Sequence, residues 1–469
     1  MTSERFTGRL RRDLGTLESY AAMLGILIGA GIFRVTSDAW ALTGPSVIVA
    51  YLALAPAVLA TSVAYSIFLS TPLGREPGGE YTHIARTFGG NRMAFVGAWL
   101  KVISYLGALA YLSNALADYV IVNSAGMLRA GTHRVPLAVA SLVFFYLVHS
   151  AGVRWFGRLQ VTMFVVLGIS LLVLVVPGLF AIHVANYHPM FTGGFTGFAA
   201  ALPPLFFAYA GFESLAQTAG EVKDSTRRLP RAFLGGIGGT MVIFFLMSIV
   251  TFGVMPGERL AASTAPMTDV AAAYLPAGAA WIVSLGAIMA LATSLNATML
   301  VPSRLGIILA EDGLAPGWVG SVQTATGTPI IGLTLTLAAA VLLLVTGQIA
   351  LALNIAVFAL VILYFLHSLA MFLLPWRNPD LYRQVTVPIP RGVQCAAALV
   401  SMASMAGLIL VQVVQDVHTL RRVPFLQRMA EGKLTALELV FLWGIVGLVI
   451  YALGTRSRPE RRVNTQSGS

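Results

Sequence analysis

Apolar residues in this chain come in long unbroken blocks, and polar residues gather in short stretches between them. A helix needs about 20 mostly apolar residues to cross a bilayer. Blocks of that kind lie near 17–41, 44–70, 93–122, 135–152, 159–182, 198–219, 232–254, 279–310, 329–347, 349–375, 392–413 and 437–454, and they predict twelve membrane helices. The blocks are continuous rather than alternating, which argues against a membrane β-barrel. The polar loops are too short to hold a soluble domain. The chain divides into a tail (1–16), five helices (17–182), five more (198–376), a final pair (392–454) and a second tail (455–469).

Composition narrows the class. Only 10% of the 469 residues are charged, 57% are hydrophobic, and the mean hydropathy is +0.81. Soluble chains carry about 25% charged residues, so a soluble enzyme and a disordered chain are both excluded. The net charge of +11 would suggest nucleic acid in a soluble protein. Here it reads as topology. With a cytoplasmic N-terminus, 21 of the 30 lysines and arginines fall inside, 8 fall outside, and Lys101 lies within a block. Arg304, at the inner end of the eighth block, counts among the inner cations. This bias predicts a multi-pass plasma-membrane protein with both termini cytoplasmic.

The segment 414–436 runs against the bias, because Arg421, Arg422, Arg428 and Lys433 fall outside. Either Phe425, Leu426 and Met429 dip into the headgroup region, or the last pair of helices is miscounted. Residues Met1–Glu18 show no signal-peptide pattern. Cys395 is the single cysteine, so no intramolecular disulfide or cysteine-built metal site is expected. The seven histidines show no helical metal spacing, and no phosphate-binding loop is present.

Two blocks carry interruptions. The first contains Gly25, Gly29, Ala30 and Gly31 in the string GILIGAGIF. Each Gly weakens a helix by about 1 kcal/mol relative to Ala. Close helix packing explains such small residues in one way, and a break in mid-membrane in another. A break frees N–H groups at one half-helix end and carbonyls at the other, and those ends bind an anion and a cation. In the sixth block, Pro203 and Pro204 precede Phe206, Phe207, Ala208, Tyr209, Ala210, Gly211, Phe212 and Glu213. Interruptions five helices apart are the spacing of two inverted five-helix repeats with a site between them.

The residues around these breaks resemble the amino acid–polyamine–organocation transporters. Gly25–Phe33 is similar to that family's first-helix signature. Glu76–Tyr81 (EPGGEY), Gly152–Arg158 (GVRWFGR), Ala219–Ala232 (AGEVKDSTRRLPRA), Ser303-Arg304 and Glu311–Pro316 (EDGLAP) follow in family order. The resemblance implies an all-α membrane fold of twelve helices: two inverted five-helix repeats, shared with the sodium-coupled neurotransmitter-type transporters, plus two C-terminal helices. It implies alternating access, with an amino acid or related amine as substrate. By the same resemblance the break at Gly29 presents the N–H groups of Ala30, Gly31 and Ile32 to the substrate carboxylate. The carbonyls of Leu27, Phe207 and Ala210 then face its ammonium, with Phe207 as an aromatic lid. The family often has Ser or Thr where this chain has Ala30, so only backbone remains there.

Coupling is read from few residues. Glu213 is ionisable within an apolar block, which by default suggests function. It serves either as a proton-coupling carboxylate or as a partner for a cation that fixes the sixth helix. Lys101 either snorkels to the inner surface or pairs with a carboxylate such as Glu213. Asp118 is expected at the outer interface. Proton-coupled relatives often carry a lysine in the fifth helix, at the position of Leu167, and this chain lacks it. Ala290, Thr293 and Ser294 place one carbonyl and two hydroxyls on one helix face. With the carbonyls of Gly25 and Ile28 they compose a possible sodium site, although such hydroxyls usually bond their own backbone.

These features predict a secondary active transporter with no cofactor, possible Na⁺ or H⁺ coupling, and a neutral or apolar amino acid as default substrate. Uncoupled exchange, facilitated diffusion and polyamine or organic-cation transport stay open. A channel is the rival of another class, but the blocks offer no polar pore lining. An enzyme would need a convergent nucleophile, base or metal site, which the sequence does not show.

Overall fold

The computed structural model describes residues 10–456, except 30, 125, 264, 348 and 431–433. Among the described residues it is helical, and its one strand-like feature is a parallel bridge between Leu14 and Val222. Nine helical stretches among the described residues are long and apolar enough to cross a membrane: Thr16–Phe33, Ala39–Leu69, Asn91–Val122, Ala130–Ser150, Val153–Gly178, Ser225–Val254, Ala277–Glu311, Leu351–Arg377 and Arg391–Arg422. Three shorter apolar helices, Gly194–Ala208, Ile330–Val345 and Ala436–Ala452, fall where the sequence places the sixth, ninth and twelfth blocks. These apolar helices are numbered below in chain order.

The first and sixth differ most from the blocks drawn on the sequence. The first is regular only over Thr16–Leu27 and resumes as a π-helical turn at Gly31–Val35 and a helix at Thr36–Thr43. The sixth starts at Gly194, stops at Ala208 and resumes as a short helix at Ser214–Gln217. The eleventh runs on to Arg422 rather than ending near 413, and a short helix Phe425–Ala430 follows it. Phe425, Leu426 and Met429 are exposed on that short helix.

The third helix lies near the centre, packed against the fourth, eighth and tenth. The eighth also packs on the first and fifth, and the seventh on the first and second. Buried apolar residues form one continuous core through these helices. Outward faces keep large apolar side chains such as Leu172, Leu342, Leu410 and Leu448 exposed, as lipid-facing surfaces do. The twelfth helix is clamped to the third by Trp99 and Trp443, whose rings stack at 4.3 Å. Each indole N–H donates to the other residue's carbonyl at 2.7 Å.

Candidate functional site

The two interruptions meet. A methyl group on Gly31 would sit 2.3 Å from Ala208 Cα, so only a glycine lets the two chains approach this closely. Gly211 turns the sixth segment with φ +102°, a conformation that side chains disfavour, and Ile26 packs over it. The Gly31 carbonyl accepts from the Tyr51 hydroxyl at 3.2 Å and from Thr36 Oγ1 at 3.3 Å. The Tyr119 hydroxyl donates to the Phe33 carbonyl at 2.6 Å. Side-chain hydroxyls thus take up carbonyls that the broken first helix leaves free.

A cleft opens at this junction. Gly31, Phe207 and Ala210 line it, as do Glu213 and Ser294. Its remaining wall comes from Ile26, Gly211, Thr298, Leu360 and the third-helix residues Ser104, Tyr105, Ala108 and Leu112. Leu27, Gly29 and Ile32 are buried and do not reach the lining, and Ala30 lies outside the described residues. Phe207 is partly exposed and meets Tyr111 edge-on at 5.6 Å, whereas Phe206 is buried against Tyr364.

Glu213 is fully buried at the cleft floor. Its carboxylate accepts from the Tyr105 hydroxyl at 2.7 Å, from the Gly211 N–H at 2.9 Å and from the Tyr364 hydroxyl. Neither tyrosine is conspicuous in the sequence, where Tyr among apolar residues reads as packing. Lys101 does not snorkel and does not bond Glu213. It pairs with Glu80, Nζ lying 2.7 Å from Oε2 and 2.9 Å from Oε1, with both side chains 1% exposed. Snorkelling fails because the side chain is enclosed, and the carboxylate it meets comes from the helix Glu80–Phe88, which the sequence reads as an inner loop. Glu80 also accepts from Gln217 Nε2 at 3.1 Å and from the Tyr65 hydroxyl. The Lys101 ammonium is also 5.4 Å from the centre of the Tyr105 ring, whose hydroxyl serves Glu213. One buried cation therefore stands beside two buried carboxylates.

Other charged residues are paired. Asp118, toward the end of the third helix, is covered by the partly exposed Arg134 through a 2.6 Å contact from Nε. Arg304, counted among the inner cations, is fully buried in the eighth helix and 3.0 Å from Glu221 Oε1. His83 Nδ1 lies 2.9 Å from His367 Nε2, with Phe68 stacked on the His83 ring at 4.6 Å. Burial, with the Lys101 charge adding to it, pushes the His83 imidazole down to about 3, so it stays neutral.

The oxygens considered for sodium are mostly joined to one another. Thr293 Oγ1 donates to the Gly25 carbonyl at 2.8 Å, and its oxygen also lies 2.7 Å from the Ala290 carbonyl of its own helix. Ser294 Oγ lies 2.9 Å from the Ile26 carbonyl and 3.3 Å from that of Gly25. Ile28 caps the first helix, its N–H donating to Leu24. The fifth helix contributes Gln160, whose amide N–H₂ lies 3.3 Å from the Thr293 carbonyl and 3.4 Å from that of Ala21. Leu167 is buried in the same helix.

Comparison with known proteins places these features in a family context. A sequence model of the amino acid permease family matches residues 14–427. The chain is 24% identical to the branched-chain amino acid permease BcaP of Bacillus subtilis, over 96% of this chain and 94% of that protein. It is 25% identical to the Asc-type amino acid transporter 1 of Mus musculus, over 81% and 73%. The methylthioribose transporter of Bacillus subtilis is 26% identical over 68% and 72%.

Proposed function

Since the chain belongs to the amino acid permease family, a family of membrane transporters and not of enzymes, we propose that it is a secondary active transporter working by alternating access. It carries an amino acid or related amine across the plasma membrane. The twelve apolar helices all cross, both termini are cytoplasmic, and 17–182 and 198–376 form the inverted repeats. The meeting of the two interrupted helices at the cleft of Gly31, Phe207 and Glu213 carries this reading.

A zwitterion needs N–H donors for its carboxylate and oxygen acceptors for its ammonium, and broken helices offer both. Gly31, which lines the cleft, holds the carboxylate through its N–H. Phe207 and Ala210, which line the cleft, supply carbonyls to the ammonium. The side chain then points toward Ala108, Leu112 and Leu360, an apolar wall that suits a neutral amino acid. The relative named for branched-chain amino acids fits that wall.

Proton coupling through Glu213 is favoured over sodium. Glu213 faces the cleft with three donors and, among the described residues, no bonded cation, whereas the Thr293 and Ser294 hydroxyls already contact the Gly25 carbonyl that sodium would need. The deciding experiment is uptake by purified protein in liposomes, with labelled amino acids, amines and methylthioribose. It is run under a proton gradient, a sodium gradient, and with internal counter-substrate. Proton-driven uptake of an apolar amino acid is expected. Uptake only against counter-substrate identifies an exchanger, and uptake of no solute rejects the reading.

A further inference from the structure

The turn between the tenth and eleventh helices takes no part in the cleft, and it is basic. Residues 376–394 hold Arg377, Arg383 and Arg391 against one carboxylate, Asp380. Asp380 is engaged by Arg383 at 3.3 Å, with both side chains exposed. Asn378 donates to the Arg86 carbonyl at 2.9 Å, which brings a further exposed cation to the turn. On the orientation proposed above, this turn lies at the cytoplasmic face.

Arg391 is held unlike its neighbours. Its guanidinium lies 5.1 Å from the centre of the Trp376 ring, 5.7 Å from that of Tyr382 and 6.0 Å from that of Phe372. Cation–π attraction acts within about 6 Å of a ring centre, and a guanidinium suits it because its plane is weakly hydrated. Nη2 donates to the Phe372 carbonyl at 2.8 Å and Nη1 to Gln394 Oε1 at 3.4 Å. Both acceptors are neutral. No carboxylate among the described residues pairs with Arg391, and a guanidinium has more N–H donors than these acceptors use. The charge is thus fixed by rings and left without a counter-ion. Arg391 is only partly buried, and a methyl group on Gly392 would meet nothing within 4 Å, so the space beside it is open.

From this point the eleventh helix turns apolar side chains outward. Val393, Leu399, Val400, Leu410 and Val414 are exposed. Val393, Val400 and Val414 fall at multiples of seven residues, close to whole helical turns, so they share one face. Trp376 is exposed beside Arg391, and an indole favours the boundary between headgroups and hydrocarbon. An unbalanced guanidinium at the boundary, with an apolar stripe running away from it, matches a molecule that is a phosphate at one end and hydrocarbon at the other.

We propose that Arg391 and the rings around it form a binding site for an anionic phospholipid of the inner leaflet. The Arg391 N–H groups take its phosphate, and its acyl chains lie along the outward face of the eleventh helix. Arg377 and Arg86 add positive charge at the turn, which favours an anionic headgroup over a zwitterionic one. A free phosphate would lack the hydrocarbon contact that Val393 and Val400 provide.

The test uses the full chain purified in a mild detergent and titrated with dioleoylphosphatidylglycerol, dioleoylphosphatidylcholine or inorganic phosphate. Melting temperature is read together with bound lipid counted by native mass spectrometry. Phosphatidylglycerol is expected to bind and to raise the melting temperature saturably, with a response to phosphatidylcholine several-fold smaller and none to phosphate. Arg391→Gln removes most of the difference between the two lipids, Arg391→Lys retains part of it, and Arg421→Gln, at the other end of the same helix, leaves it unchanged. Arg377→Gln combined with Arg383→Gln weakens the phosphatidylglycerol response several-fold. Both of those side chains are exposed and stand outside the ring cage, so this variant carries the test if Arg391→Gln does not fold. Equal responses to the two lipids overturn the site, as does a phosphatidylglycerol response that the arginine variants of the turn leave intact or that Arg421→Gln lowers as much as they do. A response reproduced by inorganic phosphate overturns the lipid as its occupant.

Discussion

Lys101 Nζ lies 2.7 Å from Glu80 Oε2 in a site that water does not reach, and Tyr65 and Gln217 complete the shell of that carboxylate. Removing one partner of a buried pair leaves an uncompensated charge and costs about 3–5 kcal/mol, while removing both together costs much less. Lys101→Met alone and Glu80→Gln alone are therefore expected to lower the melting temperature in detergent sharply. The double variant recovers most of the loss. Additive losses in the double variant would show that the two groups are not coupled.

Glu213→Gln keeps the shape of the cleft floor but removes the titrating group. Uptake by this variant is expected to lose its dependence on a proton gradient while substrate binding persists. Glu213→Asp keeps the acid and retains part of the gradient dependence. Binding is read by tryptophan fluorescence or calorimetry, and uptake across pH 5.5–8.5. A proton-driven Glu213→Gln variant would remove Glu213 from the coupling step.

Gly31→Ala drives a methyl group against the Ala208 backbone, where no side chain can rotate out of the way. Overpacking of that kind typically costs about 1–3 kcal/mol. It also spreads the two interruptions apart, so substrate affinity falls along with stability. Gly168→Ala is the contrasting case, since nothing lies within 4 Å of a methyl group there. In the body of the fifth helix it is expected to stabilise by about 0.5–1 kcal/mol and to leave uptake unchanged. Paired thermal melts and uptake rates check both.

His83 gives an acid limit. Its pKa stands near 3 in the fold, against the usual histidine value of about 6.5, so the unfolded chain binds its proton first as pH falls. The stability it contributes is complete above pH 6.5 and is lost progressively toward pH 3, by about 1.4 kcal/mol per pH unit. The melting temperature of His83→Gln is expected to fall less steeply between pH 7.5 and 5. Parallel slopes for the two proteins would exclude His83 as a source of acid sensitivity.

The helices and both interruptions were legible because their signals are local. Hydropathy over about 20 residues marks a span. Glycines at 25, 29 and 31, and Gly211 ahead of Glu213, mark where a helix gives way. Thr293 and Ser294, one residue apart on the eighth helix, both bond carbonyls of the first helix. Partners far apart in sequence were not legible. Glu80 stands in a polar stretch that reads as loop, yet the chain folds it into a buried helix under Lys101. Tyr105 and Tyr364 look like ordinary membrane aromatics until Glu213 is placed between them. Arg304 reads as one more inner cation because nothing local announces that Glu221 lies beside it. In each case the missing information is which helices are neighbours, and hydropathy carries none of it.

The single ammonium of Lys101, shared between the surroundings of Glu80 and Glu213, has an electrical consequence. With Glu213 ionised, these three residues sum to one negative charge in the core of the protein. Moving one elementary charge through the full membrane potential takes about 2.3 kcal/mol per 100 mV. If the proposed return of the empty carrier moves this site through the field, doing so with Glu213 ionised takes part of that work on every cycle, and doing so with a proton on Glu213 takes none. The rate of the return step should then read out in voltage which of the two species makes the journey.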